Sequence, residues 1–426
     1  MHVGRSGGAA SGAVRLAFLA TLVMPALSAS TIAALGFADL RIIVFVCLFA
    51  LLAMGAILRR PRLDRRQRTV PLVALWLLGL IAAVGQGQAG ELLDYKILLP
   101  ILALLVAPNL RAALGDLAVV RVVLLAGGLY VLATAAGAML VPATATLRNV
   151  AEHVRIDLTG SVVLHASLCT IVAVAAFAAC AACRRPWRRL VLALVVIAAA
   201  CMVLLTGTRT ALVTLFILAV LAILSGAWQP LARPRALGLG LAALGGLVLL
   251  STLLGDTLWA RLVELDRADY SSGRWPSIGH WLALSGGAPF GLGMGTIRAT
   301  LAAGRPLIGD GQPLEWPHNE LVRFYVEAGV PGVVLVLLLL GEVTRLALRR
   351  ARLTGDPAER ALVLVIAADL WAQCLFQNYF NGVYQATVLM LLVGVLAAGG
   401  AAGRVPRPPA TAPAGAAGWP TMRPTA

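Results

Sequence analysis

The sequence predicts an all-α polytopic membrane protein of about twelve transmembrane helices, with one long outer loop between the ninth and the tenth. Three observations carry that prediction. Hydrophobic residues make up 60% of the chain and charged residues only 13%, against about 25% charged in soluble domains. The apolar residues fall in runs close to the roughly 20 needed to cross a bilayer. The basic residues fall between those runs, with a bias that sets an orientation.

Taken in order, Leu16 to Leu35 is the first run. Arg15 ahead of it and the small residues at Ala26-Leu27-Ser28-Ala29 also suit a signal peptide, but the apolar character persists to Leu35, which favours an uncleaved span. Ile42 to Leu58 and Val70 to Val84 are the second and third, separated by a basic loop ending at Arg68. After a polar turn to Lys96, Ile97 to Ala107 completes a fourth that starts as early as Leu92, and Ala118 to Val141 is the fifth. A short polar loop holds Arg148, Glu152, His153, Arg155 and Asp157. Ser161 to Ala182, Leu190 to Leu205, Ala211 to Trp228 and Ala236 to Leu254 are the sixth to ninth. Leu321 to Leu340, Ala361 to Phe376 and Ala386 to Ala398 complete the set. The chain thus divides into an N-terminal segment 1–15, helices one to nine over 16–254, a loop over 255–317, helices ten to twelve over 318–398, and a tail 399–426. That tail is rich in Ala, Pro and Gly and is expected to be disordered.

Charge supports the topology. With the N-terminus inside, inner loops and tails collect roughly 24 basic residues and outer loops roughly 11, while roughly 5 acids lie inside and 14 outside. Both termini then face the cytoplasm, and the long loop, Arg209 and His318 share the outer face. A net charge of +16 would suit nucleic acid if it were clustered on a soluble surface. Here orientation in the bilayer explains it, and no nucleic-acid partner is implied. Cys47, Cys169, Cys180, Cys183, Cys201 and Cys374 lie in or at the ends of apolar runs, so no disulfide framework is expected. Cys180-x-x-Cys183 has no second cysteine pair and no nearby histidine, which argues against a metal site.

The outer face carries the candidate chemistry. Trp316-Pro317-His318-Asn319 closes the loop, and Glu320, Arg323 and Glu327 follow at i, i+3 and i+7 on one helical face. Such a face on an apolar run lines water or a substrate, because ionisable groups facing lipid are costly. Gly329-Val330-Pro331-Gly332 follows. The same residues also read as a His-Asn helix cap beside a small-residue packing motif. Arg209 lies in the turn Thr206-Gly207-Thr208-Arg209-Thr210 with no acid close in sequence. An isolated arginine at membrane depth costs about 2.5–3.5 kcal/mol, so it needs a partner or a ligand. Its planar fork of donors suits phosphate; snorkelling to lipid headgroups is the alternative. Within the long loop, Asp256 to Tyr270 has Leu258, Leu262 and Leu265 at helical spacing. Ser271-Ser272-Gly273-Arg274-Trp275, then Trp281, then Pro289-Phe290-Gly291-Leu292-Gly293-Met294-Gly295 follow. No βαβ pattern surrounds these glycines, so they are turn glycines and not a nucleotide fingerprint.

Together, Thr-Gly-Thr-Arg, Gly-Arg with a later Trp, Pro-x-Gly-x-Gly-x-Gly and His-Asn with Gly-x-x-Gly nine residues on resemble the bacterial O-antigen ligase and O-antigen polymerase superfamily of membrane glycosyltransferases. The resemblance covers roughly Arg155 to Gly332, and elsewhere only the topology matches. It implies that Arg274 engages the diphosphate of a lipid-linked donor. Further candidates for substrate binding are Lys96, Arg148, Arg155, Asn319 and Glu327. Lys96 can equally snorkel and pair with Asp94, and Arg148 and Arg155 can pair with Glu152 or Asp157. After Gly160 the family's asparagine is missing, and His165 stands in roughly that region.

A sugar on a lipid diphosphate already has a good leaving group, so it needs a general acid less than glycoside hydrolysis does. It needs stabilisation of charge on the diphosphate, which Arg209 and Arg274 can supply, and a base near the attacking hydroxyl. A neutral imidazole, with an ordinary pKa near 6.5, suits the second task, which assigns His318. No metal and no cofactor is expected. The implied partners are an undecaprenyl-diphosphate-linked glycan donor, a lipid A-core or other glycan acceptor, and the lipid bilayer. The implied location is the bacterial inner membrane, with the site and the long loop facing the periplasm. An O-antigen or exopolysaccharide polymerase and a protein O-oligosaccharyltransferase share every motif. A transporter of lipid-linked glycans predicts two related halves, and the sequence shows no repeat.

Overall fold

The computed structural model describes residues 7–23, 40–58, 65–84, 95–115, 117–140, 147–150, 153–156, 162–206, 274–304, 306–308, 312–377, 380 and 383–399. These form twelve helices and two short hairpins. The first five helices are α1 (Gly7–Val23), α2 (Leu40–Leu58), α3 (Arg65–Val84), α4 (Tyr95–Leu114) and α5 (Val119–Leu140). After the hairpin β1 (Leu147–Val150) and β2 (His153–Ile156) come α6 (Val162–Ala182) and α7 (Pro186–Leu205). A module between α7 and α10 holds α8 (Arg274–Ser285), α9 (Thr296–Ala302) and the hairpin β3 (Leu307–Ile308) and β4 (Gln312–Pro313). The chain then forms α10 (Glu320–Leu353), α11 (Pro357–Phe376) and α12 (Val383–Ala398). The expected runs 211–228 and 236–254, the amphipathic stretch 256–270, Arg209 and the tail beyond Gly399 lie outside the described residues.

Among the described residues, α4, α6, α7 and α10 are long and apolar enough to cross a bilayer. α7 shows the lipid side of such a helix: Trp187, Leu190, Val191, Leu194 and Ile197 recur at helical spacing and are all exposed. Expected and observed helices follow the same order, and the differences lie at their ends. The fourth run was expected to stop at Ala107, before Pro108, yet α4 continues to Leu114 with Pro100 and Pro108 inside it. In a membrane bundle neighbouring groups re-satisfy the carbonyls that proline frees. The helix ends where Gly115, at φ 63, donates its N–H to Arg111 O at 3.3 Å, the left-handed glycine stop. The tenth run outlasts its expected end at Leu340 and reaches Leu353. Its polar end is tied down by Arg345 on Glu342, and by Arg350, whose Nε and Nη2 donate to Glu359 at 2.8 and 2.9 Å. Asp356 caps α11 by accepting from Ala358 N at 2.9 Å, with Pro357 at the first helical position.

The polar loop ahead of the sixth run contains an antiparallel hairpin in which Arg148 and Arg155 are register partners. The helices pack so that their polarity can be read. α4 lies along α12, with Ala107 beside Gly394 and Arg111 beside Gly399, so the two run parallel. Gln385, near the start of α12, donates to Leu164 O near the start of α6. Phe380, just ahead of α12, donates its N–H to Glu320 at the start of α10. The starts of α4, α6, α10 and α12 therefore lie at one end of the bundle, with the end of α11 and the hairpin that leads into α6.

Candidate active site

At that end α10 begins with a strained residue. His318 has φ 42, the only positive φ on a non-glycine among the described residues. Such a conformation costs on the order of 1–3 kcal/mol and persists only where the surroundings hold it. Asn319 is the N-cap: its Oδ1 accepts from Val322 N at 3.1 Å, and its Nδ2 donates to Leu375 O of α11 at 3.0 Å. On the other side, Glu315 is gripped by α8. Trp281 Nε1 donates to Glu315 O at 2.8 Å, and Glu315 N donates to Ser277 Oγ at 3.1 Å. Trp281 is fully buried in a small core with Ile297, Ile308, Leu314 and Val326. The tryptophan that follows Gly-Arg in sequence thus acts as a strut for the segment leading to His318. His318 itself is half-buried, between that module and the membrane helices.

Below it, α10 is broken at Gly329, which has φ 64 and ψ −150. Pro331 has no N–H, so the Glu327 carbonyl loses its helical donor, and the break turns Val330 N away from Val326 O. The loop Pro289–Gly295 fills these vacancies. Leu292 N donates to Val326 O at 2.8 Å, Gly293 N to Glu327 O at 3.0 Å, and Val330 N donates to Pro289 O at 2.9 Å. The approach is close enough that a Cβ on Gly291 would sit 2.6 Å from Ala328 N. The glycine-rich loop is a backbone splice onto a broken helix.

Glu320, Arg323 and Glu327 share one face as expected, but that face is turned inward: all three are buried. Arg323 Nη1 donates to Glu320 at 3.4 Å and its Nε to Glu327 at 3.3 Å, while its guanidinium lies 5.9 Å from the Trp316 ring centroid. Glu320 Oε1 accepts from Phe380 N at 2.7 Å, and Glu327 Oε1 accepts from Gly295 N at 3.2 Å. Glu327, expected at the substrate, therefore has both carboxylate oxygens engaged by the protein itself. The reason is local: the splice brings the Gly295 amide onto the Glu327 side chain.

Of the other candidates, Arg274 is the first residue of α8, the helix that carries Trp281. Lys96 is in the first turn of α4, at the same end of the bundle as His318. Arg148 and Arg155 are backbone register partners in the hairpin, and β2 touches α7. Arg209 lies outside the described residues, beyond Thr206 at the end of α7. Among the described residues no group of three or more His, Cys, Asp or Glu side chains is placed to hold a metal ion. Sequence reasoning missed the Glu320–Phe380 and Glu327–Gly295 ties, since nothing in a linear pattern marks a carboxylate as a backbone acceptor.

Residues 193–337 match the family model described as O-antigen ligase. Over that stretch, about a third of its length, the chain is similar to the O-antigen ligase family. The matched stretch includes Arg209, Arg274, His318, Asn319 and Glu327, while Lys96, Arg148 and Arg155 lie before it. Comparison with curated proteins finds no match. Within the matched stretch, the glycine loop is bonded to the broken helix, and Trp281 and Ser277 are bonded to Glu315, three residues before His318.

Proposed function

We propose that the protein is an O-antigen ligase-like glycosyltransferase that moves a glycan from undecaprenyl diphosphate onto a lipid A-core acceptor at the periplasmic face of the inner membrane. The observation that supports this most is the His318 turn: a histidine in a strained conformation, held from three sides, inside the stretch that matches the ligase family. Strain that the surroundings over-determine concentrates at working sites. His318 takes the proton of the acceptor hydroxyl as that oxygen forms its bond to the anomeric carbon. The bond from that carbon to the diphosphate oxygen breaks, and undecaprenyl diphosphate leaves with the electron pair. Arg209 and Arg274 hold the diphosphate and stabilise the charge it gains. Direct attack inverts the anomeric centre. Lys96 and the Arg148–Arg155 pair extend the basic surface along the donor. Asn319 and Glu327 set the His318 turn and the glycine loop.

The test is the surface glycan profile of a deletion strain carrying either the wild-type protein or His318→Ala. The ligase reading expects bare lipid A core and long glycan left on the carrier lipid in the deletion and in His318→Ala, with normal membrane levels of the variant. Cores bearing a single repeat would indicate the polymerase. An unchanged lipopolysaccharide would shift the acceptor to protein or another polysaccharide. Full activity of His318→Ala would remove the base assignment.

A further inference from the structure

Deeper in the bundle lies a polar cluster that the transfer chemistry does not use. Asp369 of α11 is fully buried, and among the described residues it makes no ion pair. Its Oδ2 accepts from Ser167 Oγ of α6 at 2.5 Å, and Gln373 Nε2, one turn further along α11, lies 3.5 Å from its Oδ1. From α12, Gln385 Nε2 donates to Ser167 Oγ at 2.7 Å and to Leu164 O at 3.2 Å. Three helices distant in sequence thus converge on one carboxylate.

Among the described residues the cluster is short of positive charge and of donors. An ionised carboxylate buried in a bundle without a counter-charge is strongly unfavourable. In addition, among the described residues Gln373 Oε1 and Gln385 Oε1 are buried without a hydrogen-bond donor, on residues only 0% and 3% exposed. A proton on Asp369 would neutralise the charge but leave both amide oxygens orphaned. Turning each terminal amide by half a rotation exchanges its oxygen for its nitrogen, bringing both oxygens toward Asp369 and Ser167.

We infer that Ser167, Asp369, Gln373 and Gln385 form a binding site for a small monovalent cation, Na+ in its simplest form, bridging α6, α11 and α12. Carboxylate, hydroxyl and amide oxygens are the ligands a hard cation takes. A single carboxylate matches a single positive charge, whereas a divalent ion would leave net charge in the bundle. The site is separate from the diphosphate-binding arginines and does not depend on the transfer chemistry. It lies six residues, about 9 Å of helix, from Leu375, whose carbonyl anchors Asn319. A bound cation therefore steadies the end of α11 on which the His318 turn rests.

Thermal unfolding of the full chain in detergent tests the site, with NaCl titrated against choline chloride at constant ionic strength. The wild-type protein is expected to gain roughly 5 °C in a saturable, Na+-specific manner. Asp369→Asn keeps the shape and loses the charge; it is expected to be insensitive to Na+. Gln385→Met is expected to move the Na+ midpoint about tenfold higher. Equal melting temperatures in the two salts would overturn the proposal and leave a protonated Asp369. The same Na+ gain in Asp369→Asn, or an unmoved midpoint in Gln385→Met, would overturn it as well. None of these readouts involves glycan transfer, so the outcome is independent of the proposed activity.

Discussion

Gly329→Ala isolates the joint between α10 and the glycine loop. At φ 64 and ψ −150 the backbone is in a region open essentially to glycine alone, which costs another residue on the order of 1–3 kcal/mol. A Cβ there would also overlap Pro289 O, the acceptor for Val330 N. The alanine must therefore push the loop away, loosening the Pro289, Leu292 and Gly293 hydrogen bonds, each worth about 0.5–1.5 kcal/mol. If two of the three are lost along with the strain, the total is about 2–6 kcal/mol. The Gly295–Glu327 contact is released with them. Gly341→Ala in the same helix is the control. A Cβ there meets nothing within 4 Å, so helix propensity favours alanine by about 0.5–1 kcal/mol. The assay is thermal unfolding of the purified protein, paired with glycan transfer in membranes. Gly329→Ala should melt well below wild type and lose transfer, and Gly341→Ala should melt at or above it with transfer intact. Equal melting temperatures for Gly329→Ala and wild type would refute the splice.

Three further expectations follow from the same geometry. His318→Gly relieves the strain at φ 42 and should raise the melting temperature while abolishing transfer, a combination read by the same two assays. Asn319→Ala removes the N-cap and the tie to Leu375 O, and should cost about 1–2 kcal/mol in unfolding with a partial loss of transfer. Arg323→Met strands two buried carboxylates and should cost about 3–5 kcal/mol, visible as depleted protein in membranes. Adding Glu320→Gln and Glu327→Gln to it should restore part of that level.

The sequence made some of this legible and hid the rest for physical reasons. The His318-Asn319 junction was visible because a polar pair meets a long apolar run, and the turn character of Gly291, Gly293 and Gly295 followed from spacing; all three have positive φ. Helical spacing put Glu320, Arg323 and Glu327 on one face, but periodicity says which residues share a face and not what that face meets. A partner supplied by a loop more than thirty residues upstream (Gly295 to Glu327) turned it inward. The hairpin at Arg148 and Arg155 was hidden because its turn lacks the Asn-Gly or Gly-rich signal of short hairpins. Asp369 was a visible acid in an apolar run, but its Ser167 partner is 202 residues away, and no local pattern reports such a contact.

The arrangement also explains why the strain sits at His318 and nowhere else among the non-glycine residues described. A straight helix from Glu320 to Leu353 would leave its first turn free to shift, and a histidine at its mouth would relax to an ordinary conformation. The break at Gly329 frees carbonyls that the Pro289–Gly295 loop fills, so the first segment of α10 is fastened to the α8–β4 module. Glu320 fastens the same segment to the backbone ahead of α12, and Asn319 to the end of α11. Trp281 and Ser277 hold Glu315, three residues before the histidine. With its chain pinned on both sides, His318 cannot move without breaking several of these bonds together. The base proposed at His318 would gain from that fixity, since catalysis by proton transfer depends on geometry before it depends on pKa.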